Sequence, residues 1–212
     1  MSVETILKGI RRGGGGDNEV RVNADRHGNL LVAQGLPPYA ELTRLGGGYQ
    51  AMSTTGVTGL VARPTVTALV TLWNGEPDGG LSYVIDRAFA HNLVKTAAVT
   101  AFSIWLCVHP TGMAAPTDDI TTKNSLSGKK GYGGRARFDV DATVAADGWF
   151  PWGNWGEGSA TGVYPSAHVE AEVAGRIILP PSAGLSLQVV VSITATTFTA
   201  GFAWYEVQLD IA

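Results

Sequence analysis

From Thr65 to the C-terminus, apolar and polar side chains alternate along much of the chain. In the first run the apolar positions are Val66, Ala68, Val70 and Leu72. A period of two places every second side chain on the same face, so this run predicts a half-buried β-strand. The polar, glycine-rich residues 74–80 predict a turn, after which Leu81, Tyr83 and Ile85 alternate back as the second strand of a hairpin.

Further strands are predicted to the end of the chain. Residues 100–109 carry apolar side chains on both faces, which is typical of a central strand covered on two sides. Apolar side chains at alternate positions predict strands within residues 136–144, 167–173, 185–193 and 198–211. Seven or eight strands separated by turns predict an all-β protein, a two-sheet antiparallel sandwich of jelly-roll-like form. We expect helix only in short pieces, such as residues 88–94.

The first sixty residues have a different pattern and predict an extended N-terminal arm. Two short apolar pieces, residues 19–22 and 30–32, flank a polar turn and predict a small hairpin, which is marginally stable alone. Glycines 46–48 predict a flexible joint. We therefore divide the chain into an arm, residues 1–60, and a β-sandwich body, residues 61–212. We expect the body to fold when the arm is deleted.

The segment between the predicted hairpin and the glycine joint is a candidate interface. Its residues are Leu36, Pro37, Pro38 and Tyr39. Consecutive prolines impose an extended, polyproline-like backbone. We expect the segment to run over a surface, either that of its own body or that of an adjacent subunit.

Composition limits the partners of the chain. The 212 residues carry a formal net charge of -3, and 16% of them are charged. This balance argues against binding to nucleic acid or to an anionic membrane through overall charge. No apolar run approaches the length of about 18 residues that a membrane span requires, and the N-terminus lacks the pattern of a secretory signal. We expect a protein made in the cytoplasm, with no nucleic-acid and no membrane partner.

Few residues offer chemistry. Cys107 lies in an apolar run and is expected to be a buried thiol. His168, Glu170 and Glu172 share one face of a predicted strand, where a metal site could form. An ordinary solvated face accounts for the same pattern, so we predict no metal and no cofactor. No nucleophile motif occurs and none of the four histidines has a catalytic sequence context, so we expect no enzymatic activity.

An aromatic cluster is the strongest candidate for a binding surface. It lies in and beside a glycine-rich stretch, residues 148–162, that we expect to be a loop. Its members are Trp149, Phe150, Trp152, Trp155 and Tyr164. Planar side chains at the end of a sandwich can bury against a protein partner, pack the loop itself, or stack on a sugar ring. We take the protein interface as the leading hypothesis and keep the other two open.

Three phrases of the sequence resemble a known class of proteins. They are GNLLVAQGLPPY at residues 28–39, LWNGE at residues 72–76 and GLSYVID at residues 80–86. Across about residues 20–110, the chain resembles the opening half of virion structural proteins of tailed bacteriophages and their prophages. The resemblance implies a non-enzymatic, homo-oligomeric protein, of a class often attached to the capsid or tail by an N-terminal arm. It assigns no role to individual residues.

The leading interpretation is therefore a virion structural protein, a decoration or fibre-like component of a capsid or tail. We expect a homo-oligomer, specifically a trimer, made in the cytoplasm of the host bacterium. Affinity would come from apolar surface buried between copies, and the arm would engage a second subunit. Other partners would be the major capsid or tail proteins. The alternative is a carbohydrate- or receptor-binding module on the same particle that uses the aromatic cluster.

Overall fold

The computed structural model describes residues 39–94, 101–128, 135–144, 148–156, 168–192 and 196–209. Within these ranges the chain forms one short helix and twelve β-strands. They are α1 (Ala40–Arg44), β1 (Gly48–Met52), β2 (Val57–Thr58), β3 (Val70–Asn74), β4 (Ser82–Val94), β5 (Ala101–His109), β6 (Lys123–Asn124), β7 (Ala136–Val140), β8 (Phe150–Gly156), β9 (His168–Glu172), β10 (Ile178–Leu179), β11 (Gly184–Val191) and β12 (Thr197–Val207). No helix in the described ranges has the length and hydrophobicity needed to cross a membrane.

The strands form two antiparallel sheets. One sheet has seven strands in the order β10-β4-β12-β1-β6, with β2 also pairing with β12 and β9 with β4. The other has five strands in the order β7-β3-β11-β5-β8. Side chains from both sheets share one hydrophobic core. The predicted all-β, two-sheet antiparallel sandwich is confirmed.

The strand pairing is nested in the manner of a jelly roll. β1 pairs with β12, β3 with β11, β4 with β9, and β5 with β8. Each of these four strands thus pairs with a strand from the second half of the chain, and successive pairs alternate between the two sheets. Eight strands paired in this way have jelly-roll topology. The remaining four strands extend the two sheets.

The main core lies between the sheets and is built from the predicted alternating positions. Phe138 of the five-stranded sheet meets Phe202 of the seven-stranded sheet edge-on, with 6.3 Å between ring centroids. Phe102 and Phe198 make a second contact between the sheets at 5.0 Å. Full burial of one such side chain contributes about 1.5–3 kcal/mol. Aromatic contacts across the interior therefore help to hold the two sheets together.

Two predictions of local structure were wrong. Residues 88–94, expected to form a short helix, belong to β4, a strand of thirteen residues. β4 pairs with β12 along nearly all of its length, and this tertiary pairing overrides local helix propensity. The glycine-rich stretch from residue 148, expected to be a loop, contains the strand β8.

Part of the segment assigned to the arm lies in the seven-stranded sheet. β1 falls within the first sixty residues and pairs with β12 over five residue pairs. Gly47, expected in a flexible joint, accepts the Glu206 N–H at 2.9 Å, and a Cβ at this position would lie 3.2 Å from the Glu206 carbonyl oxygen. A compact unit extends over Glu41–Ala212. The hairpin predicted for residues 19–32 lies outside the described residues.

Candidate interface at the β8 edge

The predicted aromatic cluster is centred on an edge strand. β8 pairs with β5 and is the last strand of the five-stranded sheet in the described part of the chain. Pro151 lies within β8 opposite Trp105. Proline has no N–H to donate, so in sheets it occurs mainly in edge strands and at bulges. At this edge of the sheet an aromatic side chain can either pack inward or face solvent.

Trp149 faces inward, immediately before β8. Its side chain is only 2% exposed and packs in a second core, separate from the main one. The other buried members of this second core are Ala68, Cys107, Ala142 and Val144. The indole N–H of Trp149 donates to the Thr65 carbonyl at 2.8 Å, so its polar atom is satisfied. For Trp149 the structure favours packing within the chain, and it places Cys107 in the interior as predicted.

A β-bulge redirects Trp152. The register of β8 on β5 shifts between Ile104 and Trp105, so Trp152 is opposite no residue of β5. A bulge of this kind turns a side chain out of the regular alternation. Trp152 is partly buried against the main core, and its indole N–H donates to the Glu172 carbonyl of β9 at 3.4 Å. This side chain therefore links the two sheets at the margin of the sandwich.

Among the described aromatic side chains of this segment, Phe150 is the one that is largely exposed to solvent. It lies opposite Leu106 and is 67% exposed. Val108 lies two residues beyond Leu106 on β5 and is 51% exposed. Diagonal neighbours on an antiparallel pair are about 7–8 Å apart. Phe150 and Val108 therefore form one exposed apolar surface, the β8 edge patch.

Most of the other predicted interface residues lie outside the described part of the chain. The side chain of Trp155, and residues Tyr164, Leu36, Pro37 and Pro38, lie outside the described part of the chain. The backbone of Trp155 pairs with Phe102. Tyr39 has a left-handed backbone conformation, with φ at 66°, and is 37% exposed. Their assignment to an interface stays a prediction.

On the candidate metal-binding face of β9, Glu170 makes a surface ion pair with Arg87 and lies near His168. His168, Glu170 and Glu172 are all exposed. One carboxylate oxygen of Glu170 lies 2.8 Å from the Arg87 guanidinium, and the other lies 3.7 Å from the His168 imidazole. Among the described residues, no group of three or more histidine, cysteine or acidic side chains is placed to hold a metal ion. We keep the interpretation of a solvated face.

A buried polar network was missed by the sequence analysis. The Ser186 hydroxyl lies 2.7 Å from His109 Nε2 and 2.8 Å from the Thr71 hydroxyl, so it joins side chains of β5, β11 and β3. Burial lowers the pKa of His109, which keeps the imidazole neutral at pH 7. A serine beside a histidine could begin a nucleophilic site. Ser186 and Thr71 have no exposed surface, however, so a substrate cannot reach the hydroxyl in this conformation.

Comparisons with known proteins add little. No protein-family model matches the chain, and no curated protein matches it significantly. Among solved structures, the chain has a weak likeness to one titled "Structure of a marine algae virus of the order Picornavirales". The sequences are 10% identical, the match covers 98% of this chain and 90% of the other, and the TM-score is 0.25. A TM-score this low carries no argument about shared fold or function.

Proposed function

We propose that the chain is a non-enzymatic structural protein of a virus particle, of the tailed-bacteriophage class that its sequence resembles. In this proposal it assembles as a homo-oligomer, expected to be a trimer, on the capsid or tail. Its contacts are with copies of itself and with the major capsid or tail proteins. It is made in the host bacterial cytoplasm and ends in the virion.

The observation that carries the proposal is the β8 edge patch. Phe150 holds a large apolar side chain in solvent at a sheet margin, next to Val108. Exposed edge strands are open to pairing with other chains, and aromatic side chains contribute strongly when an interface buries them. The rest of the body suits this role, because jelly rolls are used in capsid proteins. The same fold also occurs in lectins, so the argument depends on the patch and not on the fold.

The patch favours a protein partner over a sugar. Stacking on a sugar ring requires an exposed aromatic face, and two members of the cluster, Trp149 and Trp152, are directed into the chain. Of the three described members, this leaves Phe150, which lies beside the aliphatic Val108. In the described part of β8, Asn154 is the one polar side chain that could bind a sugar hydroxyl. Apolar neighbours of this kind fit a second protein surface. The carbohydrate alternative is tested by measuring host-cell binding of the Phe150→Ala variant.

Self-association through the patch is expected to weaken when Phe150 is truncated. Burial of a central aromatic side chain typically contributes about 2 kcal/mol or more to association, so Phe150→Ala should raise the dissociation constant about thirtyfold. Sedimentation equilibrium over a range of protein concentrations measures this constant.

Leu126→Ala is the matched control, because Leu126 is also exposed, at 58%, but lies beyond β6 on the other sheet. The control should associate like the wild type. Equal association of the wild type and Phe150→Ala, combined with loss of host-cell binding in Phe150→Ala, would favour the carbohydrate or receptor alternative. A wild type that stays monomeric at all concentrations would contradict the proposed self-assembly.

A further inference from the structure

A cleft of about 580 Å³ lies beside β1 in the seven-stranded sheet and is termed the β1 cleft. Its apolar walls include Met52 and Phe89 on the sheet and Ile120 on the segment that precedes β6. Pockets that enclose a small molecule typically have volumes of about 300–1,000 Å³. The β1 cleft is therefore large enough to receive an aromatic side chain.

The β1 cleft exists because the pairing between β1 and β6 stops early. Gln50 pairs with Lys123, the first residue of β6, whereas β1 continues to Met52. The chain that precedes β6 turns toward β7 instead, where the Ile120 N–H donates to the Phe138 carbonyl at 3.1 Å. In the described part of the chain, the outer edge of β1 therefore has no partner strand at Met52.

The main-chain polar groups of Met52 face this opening. The Ser53 N–H donates to the Ala200 carbonyl of β12, and the Gly47 carbonyl accepts the Glu206 N–H of β12, both at 2.9 Å. Successive residues of a strand direct these groups to opposite edges, so those of Met52 point away from β12. Met52 is also 45% exposed. Open main-chain groups at a sheet edge allow pairing with a strand of another chain.

The apolar wall of the β1 cleft depends on a glycine. Phe89 on β4 pairs with Gly201 on β12, which in turn pairs with Met52 on β1. A Cβ on Gly201 would lie 2.8 Å from Cζ of Phe89 and 2.9 Å from Cα of Met52. The absence of a side chain at Gly201 thus lets the Phe89 ring reach across β12. Phe89 and Met52 therefore share one apolar surface, although two strands separate their positions from each other's neighbours.

The β1 cleft and the β8 edge patch lie on opposite sides of the sandwich. β7 and β8 are the end strands of the five-stranded sheet in the described part of the chain. Ile120 places the cleft on the β7 side, whereas Phe150 places the patch on β8. Adjacent strands are about 4.8 Å apart, so the end strands of this sheet are separated by about 19 Å. Phe150 therefore cannot enter the cleft of its own chain.

We propose that Phe150 of one copy enters the β1 cleft of the next copy, so that the copies join head to tail. This inference rests on the proposed self-assembly and names the surface that receives the β8 edge patch. It gives Phe150, which is 67% exposed, an apolar site of sufficient size. It also brings the edge strand β8 to the open edge of β1.

The competing arrangement is a twofold contact between two β8 edge patches. That contact would bury Phe150 against the same residue of a second copy and leave the β1 cleft and the open edge of β1 uncovered. Head-to-tail contact uses two different surfaces of each copy and forms a closed ring when the rotation between copies allows it. The trimer expected above is one such ring, whereas a twofold contact alone stops at a dimer.

Sedimentation equilibrium of full-length variants distinguishes the two arrangements. Met52→Glu places a charge in the cleft and should raise the dissociation constant about thirtyfold or more, as Phe150→Ala does. Ile178→Glu is the matched control, because Ile178 is 40% exposed and lies on β10, at the other side of the same sheet. The control should associate like the wild type. Thr121→Trp, which narrows the cleft from outside the strands, is the second variant if Met52→Glu folds poorly.

A mixture of two defective variants gives the sharpest test. Met52→Glu retains Phe150, and Phe150→Ala retains an intact cleft. An equimolar mixture should therefore form a dimer with one copy of each, at concentrations where either variant alone is monomeric. Wild-type association of the cleft variants, or a mixture that stays monomeric, would overturn the head-to-tail inference while an associating wild type still supported self-assembly. A monomeric wild type would contradict both proposals.

Discussion

Trp149→Ala is expected to lower the free energy of unfolding by about 3 to 5 kcal/mol, the usual cost of deleting a large buried aromatic side chain. The indole fills the second core between Ala68, Cys107 and Val144, and its N–H satisfies the Thr65 carbonyl. Alanine would leave a cavity and an unpaired carbonyl. Equilibrium unfolding in urea, followed by tryptophan fluorescence and circular dichroism, measures the loss.

The adjacent residue supplies the matched control. Phe150 is aromatic but 67% exposed, so Phe150→Ala should change the free energy of unfolding by no more than about 0.5 kcal/mol. Comparing Trp149→Ala with Phe150→Ala distinguishes a side chain that packs within the chain from one that is available to an interface, because the two adjacent aromatic residues differ in burial. Similar losses of stability in the two variants would contradict the division of the aromatic cluster described above.

Deleting residues 1–60 is expected to abolish cooperative folding, whereas deleting residues 1–38 should leave a folded β-sandwich. The longer deletion removes β1, which pairs with β12 over its full length, and the ring of Tyr49, which stacks on Trp204 at 6.1 Å. β12 would lose a neighbour in the middle of the seven-stranded sheet, and β6 would lose its partner. The free energy of unfolding of a domain is about 5–15 kcal/mol. The stabilisation lost with an interior strand can exceed this amount.

Far-UV circular dichroism with thermal melting distinguishes the two truncations. The shorter one should show a β spectrum and a single cooperative transition, and the longer one should show neither. A cooperative transition in the chain that lacks residues 1–60 would mean that β1 is dispensable. In that case the boundary predicted from the sequence would describe the folding unit better than the sheet does.

Alternation of apolar side chains predicted most of the body. β9 alternates exposed and buried residues over its whole length, and β12 alternates buried and partly buried residues from Phe202 to Val207, because a period of two is a direct consequence of strand geometry. The nested pairing of these strands was less determined by sequence, since alternation shows which face is buried and not which strand lies beside it. Jelly-roll-like form was nevertheless the natural expectation for about eight strands with turns between them.

The remaining features depend on tertiary contacts that no local pattern encodes. β1 is short, begins at the last of three consecutive glycines and owes its structure to pairing with β12. The inward turn of Trp152 depends on a bulge that appears only in the register of β8 on β5. The buried network had one local signal: Ser186 and Gln188 occupy alternate positions in the otherwise apolar β11. Polar residues at such positions need partners, which in this case come from neighbouring strands.

Protein composition of purified virus particles tests the proposed function most directly. Particles released by a host that encodes the chain are purified on a density gradient, treated with protease-free washes of high salt, and quantified by mass spectrometry. A structural role predicts that the chain co-purifies with the particles in many copies, in a constant ratio to the major capsid or tail protein. Recovery of the chain only in the soluble cell fraction, with none in intact particles, would contradict it.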